Sequence, residues 1–165
     1  MKAEQSILVI GQDCELYNTV ALRLKPCGYG LRSALSAREA LGCLKDHPFD
    51  LSVLDLQLPD AHGLCLLAIM KRLYPRLPVL VLSADETTET MIHALRLGAR
   101  AYLLAPVDLG QLLYCIDETL KVRQAELRSR YGRRGGRSSG RKTSAFAVRP
   151  RRIYRGILNE VEEEM

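Results

Sequence analysis

Long apolar runs are missing from this chain of 165 residues. Spanning a bilayer as a helix takes about 20 predominantly apolar residues in a row, and no stretch here supplies them. The start, MKAEQSILVIGQD, does not arrange a basic region, an apolar region and a small-residue cleavage site in that order. A cytoplasmic protein without a membrane segment is the expectation. The cysteines number five, an odd count, scattered at Cys14, Cys27, Cys43, Cys65 and Cys115 without a paired metal-ligand spacing. They read as small apolar side chains, not as disulfides or a zinc site. The three histidines are equally dispersed. No nucleophile with a partnering base, glycine-rich phosphate loop or metal cluster stands out, so the commonest signatures of an enzyme are absent. Helix-turn-helix and zinc-finger patterns are missing as well, which argues against sequence-specific reading of nucleic acid.

What is there falls into two parts. With 47% hydrophobic residues, the chain is long enough for one real core and a short appendage. Residues 1–120 hold 11 basic and 14 acidic side chains, whereas 121–165 hold 13 basic and 5 acidic. The overall charge of +5 therefore describes the tail and not the body. We divide the chain at 1–122 and 123–165. From 121 to 156 Glu126 is the only acid. Gly, Ser and Arg repeat without apolar period from Tyr131 to Thr143, which predicts disorder. A mobile polycation attracts phosphates and acidic surfaces. Tyr131, Phe146 and Tyr154 are placed to stack on unpaired bases, so weak binding of nucleic acid or acidic surfaces by 121–156 stands beside the plainer reading of a solvated linker. The final GILNEVEEEM suits a short acidic helix that pairs back onto the arginines and masks them.

In the body, short β-branched runs alternate with segments of helical period. ILVI (7–10), YGLRSA (29–34), FDLSVLD (49–55), PVLVLSA (78–84) and RAYLLA (100–105) read as strands. Helices follow each: one from Cys14 that Pro26 and Gly28 end, one with Ser36 as N-cap and Glu39 completing a capping box, one from Gly63, one over 86–98, and one from Asp108 to about Ser129. Such alternation predicts an α/β fold with a parallel sheet covered by helices on both faces. The nearly all-apolar strands should be central.

Ligands of open parallel sheets gather at the carboxyl ends of the strands. Asp13, Asp55, Ser83 and Ala105 fall at or just beyond four of those ends, which predicts one shallow cleft. Asp55 is the side chain that asks for an explanation, because a lone carboxylate inside an apolar strand is costly. The strand end supplies it: an exposed terminus.

Three stretches, in order and spacing, resemble the receiver domain of two-component response regulators over about residues 6–120. DLSVLDLQLPDAHG is similar to the family's phosphoacceptor strand and D-x-x-L-P-x-x-x-G turn. PVLVLSA places Ser83 at its Ser/Thr position. GARAYLLAP places Tyr102 at its aromatic switch position and Pro106 after its lysine position. The resemblance implies a doubly wound five-stranded sheet of flavodoxin-like order 2-1-3-4-5, with Asp55 as phosphoacceptor for a histidine kinase. It also implies a Mg²⁺ cage of two adjacent acids after the first strand and a lysine before the proline. This chain departs at both places, with Gly11 and Gln12 for the acids and Ala105 for the lysine. Gln12 offers a neutral carbonyl and Gly11 no side chain. Asp13, one step along, should project to another side of the chain. Mg²⁺ and metal-dependent phosphorylation are therefore disfavoured, with Asp13 and Asp55 the remaining candidate ligands. Two readings of Asp55 stay open: a working phosphoacceptor, or a carboxylate that caps its loop while the protein signals by binding alone. Asp60 and His62 are expected to shape the turn before Gly63. The resemblance places the partner or dimer face at about 85–120, for a histidine kinase, another signalling protein or a second copy.

Overall fold

The computed structural model describes residues 4–132. Five strands alternate with five helices: β1 (Ser6–Ile10), α1 (Cys14–Leu24), β2 (Gly30–Ala34), α2 (Ala37–Asp46), β3 (Leu51–Asp55), α3 (Gly63–Leu73), β4 (Val79–Ser83), α4 (Thr88–Leu97), β5 (Ala101–Leu104) and α5 (Leu109–Gly132). The strands form one parallel sheet in the order β2-β1-β3-β4-β5. This is the flavodoxin-like order that the resemblance implied, and the three most apolar strands, β1, β3 and β4, are the interior ones.

Local chemistry explains where each helix begins and stops. Asp13 caps α1 by accepting from the Glu15 N–H at 2.8 Å. A 3₁₀ turn over Lys25–Cys27 then tightens the end, and Gly28 at φ +85° reverses the chain in a left-handed conformation that side chains resist. At α2 the Ser36 hydroxyl accepts from the Glu39 N–H at 3.1 Å. Glu39 reaches back one residue further than a standard capping box requires, accepting from the Leu35 N–H at 2.9 Å. Helix α5 runs three residues past the expected Ser129, so Tyr131 and Gly132 are helical although disorder was expected from Tyr131. The other expected tail features lie outside the described residues.

Because side chains alternate along a strand, the sheet buries two faces at once. Ile7, Val9, Leu51, Val53, Leu80, Leu82 and Leu103 share one core with Val20 and Leu24 of α1 and Leu112, Ile116 and Leu120 of α5. Leu8, Ile10 and Leu54 are fully buried on the other face, along which α2, α3 and α4 pack. Helices cover both faces of the sheet, and the carboxyl ends of the interior strands carry Asp55 and Ser83. Among the described residues no helix is long and apolar enough to cross a membrane.

Candidate functional site

Asp55 is the last residue of β3 and lies opposite Leu82 of β4 in the sheet register. It is half-buried, more enclosed than the exposed terminus that its place in the sequence suggested. Burial pushes its carboxyl above the usual range; the Gln57 N–H, donating to Oδ1 at 2.9 Å, pulls the other way, and the negative charge of Asp13 adds to the rise. A carboxylate placed this way is accessible on one side and clamped on the other.

The loop that follows is held from several directions. Asp60 receives two N–H groups of α2, Ala37 at 2.8 Å and Arg38 at 3.0 Å. Burial works against its charge, but these N–H groups outweigh that effect and hold its carboxyl below the usual range. Asp60 thus ties the β3–α3 loop to the start of a helix some twenty residues earlier, a larger task than shaping a turn. His62 caps α3, its Nδ1 accepting from the Leu64 N–H at 3.2 Å. Gly63 comes so close to β3 that an added Cβ would lie 2.4 Å from the Leu56 Cα, and its N–H donates to the Leu56 carbonyl at 3.0 Å. Only glycine fits there.

The β4–α4 loop is equally ordered by its own side chains. Ser83 is buried, and its hydroxyl accepts from the Asp85 N–H at 3.0 Å. Asp85 accepts from the Thr90 hydroxyl at 2.6 Å and the Thr87 N–H at 2.8 Å. The Thr90 hydroxyl is the main reason that its carboxyl stays below the usual range, with Thr87 next and His62 contributing charge from the neighbouring loop. Tyr102 of β5 is half-buried and donates its hydroxyl to the Asp85 carbonyl at 2.8 Å. Sequence reasoning found Ser83 and Tyr102 but missed Asp85, Thr87 and Thr90. An Asp followed by Thr at +2 and +5 ahead of a helix was the available signal.

On the opposite side Asp13 is the one charged residue directly after β1. Gly11 follows β1, and an added Cβ there would stand 3.1 Å from the Asp55 Cβ, so this residue borders the carboxylate directly. Gln12 is exposed, and its Nε2 donates toward the Gln57 carbonyl over a long 3.5 Å. The Asp13 carboxylate is engaged at the start of α1. Ala105 is exposed beside the buried Ser83, whose carbonyl accepts its N–H at 2.8 Å.

Residues 7–117 match the profile of the response regulator receiver domain. The chain belongs to that family. It is 32% identical over 124 residues to the response regulator protein PilR of Pseudomonas aeruginosa, covering 75% of this chain and 28% of that protein. It is 32% identical over 114 residues to the transcriptional regulatory protein ZraR of Escherichia coli, covering 69% and 26%. The chain thus spans about a quarter of the length of these relatives. Among solved structures, a CheY-like receiver domain protein of Methanospirillum hungatei superimposes with a TM-score of 0.71 at 28% identity, over 75% of this chain and 99% of that one. NtrX of Brucella abortus gives 0.71 at 27%, over 85% and 31%. Residues 7–117 are a receiver domain of the two-component response regulators.

The divalent cation that such a domain implies asks for a rigid octahedron of hard oxygens, most of them charged. The donors here do not fit. Asp55 is the carboxylate that ends β3, Gln12 aims an amide nitrogen at the nearby Gln57 carbonyl, and Asp13 caps a helix. Among the described residues no three of His, Cys, Asp or Glu converge in a metal-binding group.

Proposed function

We propose that this receiver, residues 1–122, signals by protein–protein contact, with Mg²⁺-dependent phosphorylation of Asp55 weak or absent, and that 123–165 form a separate basic extension. The observation that carries this reading is the loss of charge around Asp55. Gly11 and Gln12 stand where two acids are needed to hold a cation, and Ala105 stands where an ammonium would answer an acyl phosphate. Without the cation, phosphoryl oxygens would approach a half-buried carboxylate unneutralised. The switch residues Ser83 and Tyr102 then serve as fixed parts of a binding surface, tied to the Asp85 loop. Its partner side would be the edge strand β5 with α4 and α5 on its two sides, where Ile92, Leu95, Leu104 and Tyr114 are exposed. Large apolar side chains grouped on a surface suit a protein partner, whether a kinase, another signalling protein or a second copy. A cytoplasmic place and no membrane contact belong to the same reading.

The test is to incubate the protein with a small phosphodonor and Mg²⁺, beside an ordinary receiver, and to search for an Asp55 adduct by mass spectrometry. No adduct is expected. The triple variant Gly11→Asp, Gln12→Asp, Ala105→Lys should bind Mg²⁺ at least about tenfold tighter, because charged oxygens replace a neutral one. Strong labelling of the natural chain would instead support the second reading, a conventional receiver phosphorylated on Asp55, which a half-buried carboxylate at the carboxyl end of β3 favours. A third reading, nucleic-acid binding through the arginine-rich extension, requires salt-dependent binding that vanishes on truncation after Leu120.

A further inference from the structure

A pocket of about 280 Å³ lies at the amino-terminal end of the sheet, the end opposite Asp55. Ser6 of β1 and Gly30, Leu31 and Arg32 of the edge strand β2 line one side, and His47, Pro48 and Phe49, which lead from α2 into β3, line the other. That second wall is fixed before any ligand arrives. The Ser6 N–H donates to Asp50 Oδ2 at 3.0 Å and the Asp50 N–H to the Ser6 carbonyl at 2.7 Å, which ties the segment before β3 to β1. Pro48 stiffens the segment, and Phe49 is buried within it.

Gly30 keeps the pocket open. Its φ lies outside the left-handed region, and an added Cβ would stand 3.4 Å from Ser6 Oγ and 3.5 Å from Glu4 Oε1, ordinary contact distances. The backbone does not demand glycine here; what glycine leaves is space. Arg32 and His47 are exposed, and among the described residues neither side chain has a hydrogen-bond or ion-pair partner. Two donors thus border an apolar wall of Leu31, Pro48 and Phe49. The nearby acids are Glu4, at the Gly30 edge, and Asp50, whose carboxylate holds the Ser6 N–H. A guanidinium fork matches a planar carboxylate, an imidazole adds one more donor, and the apolar wall suits a hydrocarbon or aromatic body. The space falls just under the about 300 Å³ at which ordinary ligand sites begin, so the ligand is small.

We propose that this pocket binds a small organic carboxylate, with the charged group held by Arg32 and His47 and the apolar body against Phe49. Such a ligand bridges the edge strand β2 and the segment that enters β3. Because the pocket and Asp55 lie at opposite ends of β3, the site stands whether or not Asp55 accepts a phosphoryl group.

Titrating the full chain with benzoate while following its amide NMR signals tests this. Saturable shifts centred on 30–32 and 47–50 are expected. Arg32→Gln should weaken binding about tenfold or more, since a charge-assisted pair is lost. Gly30→Leu, which fills the pocket and leaves Arg32 in place, should abolish it. Benzyl alcohol and inorganic phosphate each carry half of the recognised chemistry and should bind at least about tenfold more weakly than benzoate. The absence of saturable shifts, or shifts centred elsewhere, overturns the proposal, as does binding that either variant leaves unchanged. A response to phosphate as strong as to benzoate makes the site a patch of charge and overturns it too. Equal binding of benzyl alcohol makes it a merely apolar cleft, with the same consequence.

Discussion

Two halves of one rim differ in how the chain treats them. After β3, the loop around Asp55 is fixed by a close backbone approach at Gly63, a two-pronged carboxylate at Asp60, a histidine cap and the clamp from Gln57. After β1 and β5, the residues that would carry charge are Gly11, Gln12 and Ala105. The first half sets the position of a carboxylate, and the second would set what that carboxylate can hold. Geometry and electrostatics are thus separable here. Shape-determining contacts stabilise the fold whatever the function, whereas a cluster of anions around Asp55 would raise its already elevated carboxyl further and bring only repulsion in the absence of a cation.

If the pinned half is set by shape, its residues should resist change most at Gly63. We expect Gly63→Ala to destabilise the protein by about 3 kcal/mol or more, since the added methyl meets main chain that cannot move aside. Urea denaturation would register this, and a loss below ~1 kcal/mol would mean that β3 and α3 separate easily. Next in size is Asp60→Ala, with a cost of about 1–2 kcal/mol for two helix N–H groups left to water. Its pH dependence follows from the lowered carboxyl. The stabilisation is present above the unfolded-state value near 3.8 and is lost as pH falls through the lower folded value. Thermal melts of natural and Asp60→Ala chains should converge in acid.

Smallest, and opposite in sign, is Asp55→Asn. Because burial raises the Asp55 carboxyl, its ionised form costs stability at neutral pH. That cost fades as pH falls through the raised folded value toward the unfolded value of 3.8. The amide oxygen of Asn can still accept from Gln57. A melting point higher by on the order of a few degrees at neutral pH, with the gap closing in acid, is the expected result. A lower melting point would show that Asp55 has a stabilising partner and would break the contrast between the two halves.

Much of this was legible in the residues alone. ILVI and VLVLS have no polar face, which placed β1 and β4 inside a two-sided sheet, and Ser36 with Glu39 announced α2. Asp55 followed by Pro59 and Gly63 marked the candidate site, and the missing charges at Gly11, Gln12 and Ala105 were plain to see. Other features could not be read in advance. Whether Tyr114 was buried depended on the rotation of α5 against the sheet, and it is exposed at 66%. The hold of Asp60 on α2 joins residues more than twenty apart, and no local pattern records such a pairing.

Period and turn chemistry act between near neighbours, so the alternation of strands and helices, the interior place of the most apolar strands and the uncharged residues at 11, 12 and 105 were settled by the sequence itself, while the strand order came from the family resemblance. The half-burial of Asp55, the contact of Gly63 with Leu56 and the link from Tyr102 to the Asp85 carbonyl arise only when right-handed crossovers bring separate loops to one edge of the sheet. These depend on distances through space, which one-dimensional order does not encode until the core has packed.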